Sequence, residues 1–466
     1  MHASPPAHAA PTIETLAAEL RDIVGAGHLV SDADVAASFG NDLTGRFSGR
    51  PLLVVSPADT AEVAATLRAC TAARVPVVPQ GGHSGMVGGG TPRDGEVVLS
   101  LRRLQEIEEI DRDSNQVTVG AGVTLERLQL HARARELDFP VDFGARSAAT
   151  IGGMAATNAG GALAMRHGVM RAQVLGLEAV LAGGEVLTRL NGLLKDNAGY
   201  DLSALLVGSE GTLGVITRAR LRLVPLLGRR VTALLALGGL EQALEVLRAA
   251  RGAMPSLQAI DFFELAGLRR VCAHLQIPPP FAHEHAAYLV VECAGSSDPS
   301  DELERIADLV EDAAVAFDSE GRRRLWSYRE AHNEAINALG IPHKLDVSVP
   351  IGALPAFTRT LRSAIGELDA AAEVILYGHL GDGNVHVNVL GLAPDDRRVD
   401  RAVLELVARS GGSISAEHGI GLAKAEFLSL VRSEAEIGAM VRLKRALDPT
   451  GTLNPGRVLA ASPPGR

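Results

Sequence analysis

Polar and apolar positions alternate most cleanly between residues 373 and 390. Val374, Ile375, Leu376 and Tyr377 form an apolar, β-prone run, and Val385, Val387 and Val389 then alternate with His386 and Asn388. Asp382-Gly383 between the two runs predicts a two-residue turn, which sets Gly381 opposite Asn384, Leu380 opposite Val385 and His379 opposite His386. Upstream, helical spacing over residues 12–24 leads into a β-α-β start: a strand at 52–55, a helix at 60–73 and a strand at 75–78. Further strands are expected at 97–99, in QVTVG and at 175–181. From residue 230 the texture changes to strands at 231–237, 257–264 and 288–292, a helix at 240–251, and one further element over 303–313. RLWSYREAHNEAINALG reads as one helix with Arg329 and Asn333 on the same side. HKLDVSVP alternates, with Lys344, Asp346 and Ser348 on one face. A helical run at 422–431 and a helix at 435–447 precede the turn-rich DPTGTLNPGRVL.

Glycine changes the picture in the first half. Gly81 to Gly90 hold six glycines, in PQGGHSGMVGGG, and expose backbone N–H groups in the manner of a nest for pyrophosphate. They do not fall as GxGxxG and no helix follows; Gly120 and Gly122 lack the third glycine of that nicotinamide fingerprint. ARSAATIGGMAATNAGG and VGSEGTLGVIT are two more glycine-rich segments. Three within one stretch, ending near Pro225, imply a unit built around a large phosphate-bearing cofactor. The expected division is an N-terminal tail and first helix (1–41), a cofactor unit (42–226), a substrate and metal unit (227–447) and a C-terminal segment returning to the cofactor unit (448–466).

Composition removes some classes. A net charge of −10, with 45 Lys and Arg against 55 Asp and Glu and no basic stripe, argues against a nucleic-acid partner. Three scattered cysteines suit a reducing cytoplasm, the N-terminus reads as a disordered tail without a secretion signal, and no apolar run is long enough for a transmembrane helix. Peripheral membrane contact stays open.

The candidate chemistry is a His/His/carboxylate set. His379 and His386 on one hairpin face, completed by Glu417 of SISAEHGIG, would leave coordination positions open on a divalent ion, while His418 stays free as a base. Two surface histidines beside a turn are the plain alternative. A zinc hydrolase with structural glycine loops is the rival from another class.

With PQGGHSGMVGG, IGGMAATNAGG, GSEGTLGVIT, KLDVSVP, GHLGDGNVHVNV, EHGIG and LDPTGTLNPGRV in that order, the chain resembles the FAD-linked D-2-hydroxyacid dehydrogenases, nearest their D-2-hydroxyglutarate branch. The resemblance implies an α+β fold: a two-lobed FAD-binding domain of the vanillyl-alcohol-oxidase type plus an α+β substrate domain with an antiparallel sheet. It implies FAD held by Pro79, Gly81, Gly82, His83, Ser84, Gly85, Ser147, Thr150, Gly152, Gly153, Asn158, Gly160, Gly161, Glu210, Gly211, Thr212, Gly214, Ile216 and Asn454. It also implies a zinc-like metal on His379, His386 and Glu417, with His418 as base. Asn388 would touch the C1 carboxylate of a small 2-hydroxyacid, and Arg329 and Lys344, with Asn333 beside them, a distal one. Lactate-oxidising relatives generally lack the lysine of KLDVSVP, so Lys344 favours D-2-hydroxyglutarate or D-malate over D-lactate. An electron-transfer flavoprotein or quinone would take the electrons, and a homodimer stays open. Two positions depart from the family pattern. Asn333 stands where threonine is usual, and His83 replaces the usual asparagine, which leaves a covalent flavin bond open there.

Overall fold

Three larger sheets and a two-stranded ribbon, Leu137–Asp138 with Val224–Pro225, organise residues 12–460, which this computed structural model describes; residues 1–11 of the expected tail and 461–466 of the expected returning segment lie outside the described residues. In the first sheet Leu53–Val55 and Val77–Gln80 both run parallel to Val97–Ser100, with Leu29–Val30 antiparallel at the edge. Helix Thr60–Ala73 links the first two parallel strands. It starts where Asp59 accepts the Glu62 amide at 2.9 Å and stops at left-handed Arg74. Val63, Leu67 and Cys70 from this helix pack against Leu53, Val77 and Val97. The second sheet is antiparallel, in the order Gln116–Gly120, Val215–Arg222, Val174–Val180, Val186–Arg189. Helices Leu125–Arg133 and Ile151–Thr157 close its core.

The third sheet has seven antiparallel strands: Asp312–Ala316, Arg229–Leu237, Ala287–Gly295, Leu257–Glu264, Glu373–His379, Asn384–Leu390 and His343–Ser348, in spatial order. Alternation decides its two faces. Leu345, Val347, Leu376, Val385, Val387 and Val389 pack beneath helices Leu240–Ala253, Leu354–Leu368 and Arg397–Arg409. The other face turns Phe263, Tyr288, Ile375 and Tyr377 toward helices Leu265–Leu275 and Ser319–Glu330, and leaves its polar positions to the site. Residues 448–460 return to the first sheet. Leu453 bridges Val77 in parallel, and buried Arg457 donates to Glu96 at 2.7 and 2.8 Å. The fold is therefore α+β, with two small sheets forming one two-lobed unit beside the large antiparallel sheet.

Several elements differ from expectation. The hairpin turn is a four-residue loop, Leu380, Gly381, Asp382 and Gly383, because the strands end at His379 and resume at Asn384. His379 therefore pairs with Asn384, and His386 with Tyr377. The slip is by two residues, so both imidazoles keep the same face. The single helix expected over 324–340 is two, Ser319–Glu330 and His332–Asn337, broken at Ala331. The element over 303–313 is a 3-10 helix, Glu304–Leu309, followed by edge strand Asp312–Ala316. The helical run at 422–431 is likewise only a 3-10 stretch, Ala425–Leu430. Cys70, Cys272 and Cys293 are all unpaired.

Candidate active site

A cavity of about 1050 Å³ opens between the two-lobed unit and the polar face of the seven-stranded sheet. Its first wall is backbone. A methyl group on Gly82 would fall on the Ala148 carbonyl oxygen, and one on Gly81 on the Thr150 hydroxyl, so the first two glycine-rich segments interlock only because these side chains are missing. Thr150 in turn caps helix Ile151–Thr157. Pro79, Gly81, Gly82, His83, Ser84, Gly85, Thr150, Gly152, Gly153, Gly160, Glu210, Gly211, Gly214 and Ile216 all line the cavity. The cavity's size and glycine-lined wall fit a dinucleotide such as FAD.

Five residues expected to hold the cofactor stand elsewhere. Ser147 is exposed. Asn158 ends the 151–157 helix in a left-handed turn and accepts the Arg171 amide at 2.9 Å. Gly161 packs against the Asp142 backbone, and the Thr212 hydroxyl donates to Ser209 O at 2.7 Å. Asn454, 1% exposed, donates to Gly89 O and Glu210 O, tying two cofactor segments together. His83 sits in the cavity wall with a left-handed backbone (φ 58°). Burial and the Arg102 charge lower its pKa, which favours the neutral ring.

The opposite wall is built of side chains. Cross-strand pairing brings Asp261 beside His379, His386 beside Asp346, and Asn388 beside Lys344. The loop after Ser413 carries Glu417 over this row. The Nε2 atoms of His379, His386 and His418 each lie 3.8 Å from the same oxygen, Glu417 Oε1. That is too long for hydrogen bonds and leaves room for one ion between them. His379 Nδ1 meets Asp261 Oδ1 at 2.8 Å, which aims Nε2 at the centre in the way a carboxylate orients a metal-bound histidine. Burial opposes a charged His379 ring, yet Asp261 and Glu417 raise its pKa to about 10. Burial pushes His386 well below 6.5.

Donor atoms of Asp346, His386, Glu417 and His418 also lie within 4.8 Å of one another. Asp346 Oδ2 is already engaged, however: it accepts the amides of Ala416, Glu417 and His418 at 3.1, 2.8 and 2.8 Å. Its role in the cluster is to hold the loop. Burial works against its charge, but His418, Lys424 and His386 keep its pKa far below the usual carboxylate range. Of the three imidazoles, His418 is the most open, at 26% side-chain exposure against 10% for His379 and 12% for His386.

Arg329, Asn333, Lys344 and Asn388 line the cavity beyond the histidines. Arg329 lies over the Tyr377 ring at 4.7 Å and reaches Asp261 Oδ2 at 3.0 Å. Its charge therefore has a partner, and that partner is the carboxylate behind His379. Among the described residues Lys344 bonds only the Asn333 amide oxygen, and burial lowers its pKa to about 8. Trp326 lies farther out in the same wall, donating to Glu292 at 2.8 Å, with Arg230 on that carboxylate at 3.1 Å. Asp261, Asp346 and Tyr377 also line this wall, and sequence reasoning gave them no task. The signal available was one acid inside each apolar strand, in LQAIDFFE and HKLDVS.

Fold and cavity together define an FAD enzyme of the vanillyl-alcohol-oxidase type. Residues 51–189 match the FAD binding domain and residues 228–458 the C-terminal domain of FAD linked oxidases. The chain belongs to the FAD-linked D-2-hydroxyacid dehydrogenases and is an FAD-dependent dehydrogenase. It is 38% identical to the D-2-hydroxyglutarate dehydrogenase of Xanthomonas citri pv. viticola, over 94% of this chain and 96% of that one. It is 36% identical to the mitochondrial D-2-hydroxyglutarate dehydrogenase of Danio rerio, over 93% and 83%. Among solved structures, 4-ethylphenol oxidase from Gulosibacter chungangensis superposes with a TM-score of 0.75 at 18% identity, over 96% of this chain and 97% of that one. p-Cresol methylhydroxylase superposes at 0.74 and 15%, over 96% and 97%. These two share the fold. The FAD binding domain matched over residues 51–189 contains the first two glycine-rich segments, and the hydrolase reading lapses. No helix among the described residues is long and apolar enough to cross a membrane.

Proposed function

We propose that the chain oxidises a D-2-hydroxydicarboxylate, D-2-hydroxyglutarate or D-malate, to its 2-keto acid. The observation that carries the substrate class is Lys344, an ammonium in the cavity wall whose pKa is lowered by burial and whose one hydrogen-bond partner among the described residues is an amide oxygen. A buried cation without an anion calls for one from the ligand. Lys344, with Asn333 and the outer edge of Arg329, takes the distal carboxylate, and Asn388 the C1 carboxylate. The names of the most similar relatives support the same substrate class.

In this reading residues 42–226 and the returning segment from residue 448, described to 460, hold FAD, and 227–447 hold substrate and metal. FAD, when bound, supplies the two-electron acceptor, taking hydride at N5 from substrate Cα. His379, His386 and Glu417 would hold a divalent ion of the zinc type, which would polarise the 2-hydroxyl. His418 takes the hydroxyl proton, as the most open imidazole of the cluster. An electron-transfer flavoprotein or a quinone then receives the electrons.

The test is anaerobic reduction of the purified yellow protein by a panel of D- and L-2-hydroxyacids, followed at the flavin band. D-diacids should give the highest kcat/KM and L-isomers none. D-lactate outperforming both diacids would overturn the substrate class.

A further inference from the structure

Glu210 belongs to the cofactor side by sequence, yet its carboxylate is spent on the other side of the cavity. Oε1 accepts the Ile420 amide at 2.7 Å and Oε2 the Gly421 amide at 2.8 Å. These two residues follow Glu417 and His418 after one intervening glycine, Gly419. The loop can approach so closely because positions 419 and 421 are glycines with φ of +87° and +50°. A methyl on Gly419 would lie 2.9 Å from the Glu210 carboxyl carbon, and one on Gly421 would meet Val87 O.

The grip continues N-terminally through Asp346, whose Oδ2 takes the amides of 416, 417 and 418. Two buried carboxylates, one from each side of the cavity, thus hold five backbone N–H groups of a single turn. Lys424 lies between them, donating to Asp346 O at 2.9 Å. Glu210 itself is fixed at three points. Its amide donates to Ala156 O at 2.8 Å, its carbonyl accepts from Asn454, and its backbone holds φ 51°, a conformation uncommon outside glycine. A buried acid in a strained backbone, with both oxygens aimed at amides of another segment, has the form of a clasp.

We propose that Glu210 is a positioning residue. From the cofactor side it sets where Glu417 and His418 stand over the cavity, and it acts through the loop rather than by touching substrate. The inference rests on the reading of Glu417 and His418 given above. Its test is the FAD-loaded full chain carrying Glu210→Gln, whose amide removes the charge and replaces one of the two acceptor oxygens with an NH2 donor facing an N–H group. Three readouts are compared: amide hydrogen exchange at Ile420 and Gly421, zinc affinity by chelator competition, and FAD content. Expected are at least tenfold faster exchange at those two amides, zinc affinity lowered 10–100-fold as for a lost supporting partner, and an unchanged yield of bound FAD. Glu210→Asp, which keeps the charge and suits the left-handed backbone, should give a smaller change of the same kind and serves if the glutamine variant does not fold. Loss of FAD with exchange at 420 and 421 unchanged would make Glu210 a cofactor ligand and overturn the proposal. A lowered melting temperature with all three readouts unmoved would overturn it equally. If the unmodified protein binds no zinc, the metal assignment fails, and the exchange measurement still decides the clasp.

Discussion

The two walls of the cavity are built on opposite principles. The cofactor wall is made by leaving atoms out: Gly81, Gly82 and Gly152 let segments close on one another where any side chain would collide. The facing wall is made by bringing atoms in, from strands and a loop as far apart in sequence as Asp261, His379 and Glu417. One wall should fail on gaining a methyl group, the other on losing a ring. The difference also separates binding from chemistry, since backbone can cradle a cofactor but cannot move a proton.

The largest effect should come from the side-chain wall. His386→Ala, Glu417→Ala or a strong chelator should reduce substrate-driven flavin reduction to background while the protein stays yellow. His418→Ala should keep its metal and lose roughly 10²–10⁴-fold in turnover, the size expected for a general base. Metal analysis beside single-turnover reduction separates the two. If His418→Ala loses the ion and His386→Ala keeps it, their roles are exchanged.

Lys344→Met should cost D-2-hydroxyglutarate or D-malate about 2–5 kcal/mol in kcat/KM and leave D-lactate nearly unchanged. Arg329→Ala should harm all three acids, because it also strips the partner from Asp261 behind His379. Steady-state kinetics on the three acids sharpen the division between reading substrate and holding the metal site. A Lys344→Met variant that loses lactate as severely as the diacids would end the distal-carboxylate reading.

On the glycine wall, Gly82→Ala should destabilise by about 1–3 kcal/mol or more through overpacking against Ala148. Gly85→Ala meets nothing within 4 Å and should keep its stability. Thermal melts of the two apo proteins, then FAD titration, show whether the cofactor itself fills the space beside Gly85. A smaller effect is set by pH. Burial lowers the Lys344 pKa from 10.5 to about 8, so the cation needed for a distal carboxylate is lost as pH rises through 8. kcat/KM for diacids should therefore fall roughly tenfold per unit above that pH, relative to D-lactate in the same buffers.

Most of this division was legible in the sequence. The glycine segments stood out because close backbone approach demands a residue type, and His386, Asn388 and Lys344 because strand alternation fixes a face. The turn at residues 380–383 misled, since Asp-Gly favours a two-residue loop while the strands separate two residues earlier. Asp261 and Asp346 escaped notice for a plainer reason. A single acid within an apolar strand has no local partner: His379 lies 118 residues from Asp261, and the loop amides 70–72 from Asp346. Of the five expected cofactor residues outside the cavity wall, Asn454 ties two glycine-rich segments together, a task that motif order alone does not separate from contact.

Trp326 turns the cavity into an optical instrument. It is the chain's single tryptophan, and it stands in the wall with its indole oriented by Glu292. Indole emission overlaps the near-ultraviolet absorption of the isoalloxazine ring, so energy transfer ties its brightness to whether the flavin is present. Adding FAD to stripped protein should dim that one emitter in proportion to occupancy, giving a label-free measure of cofactor loading in every variant above.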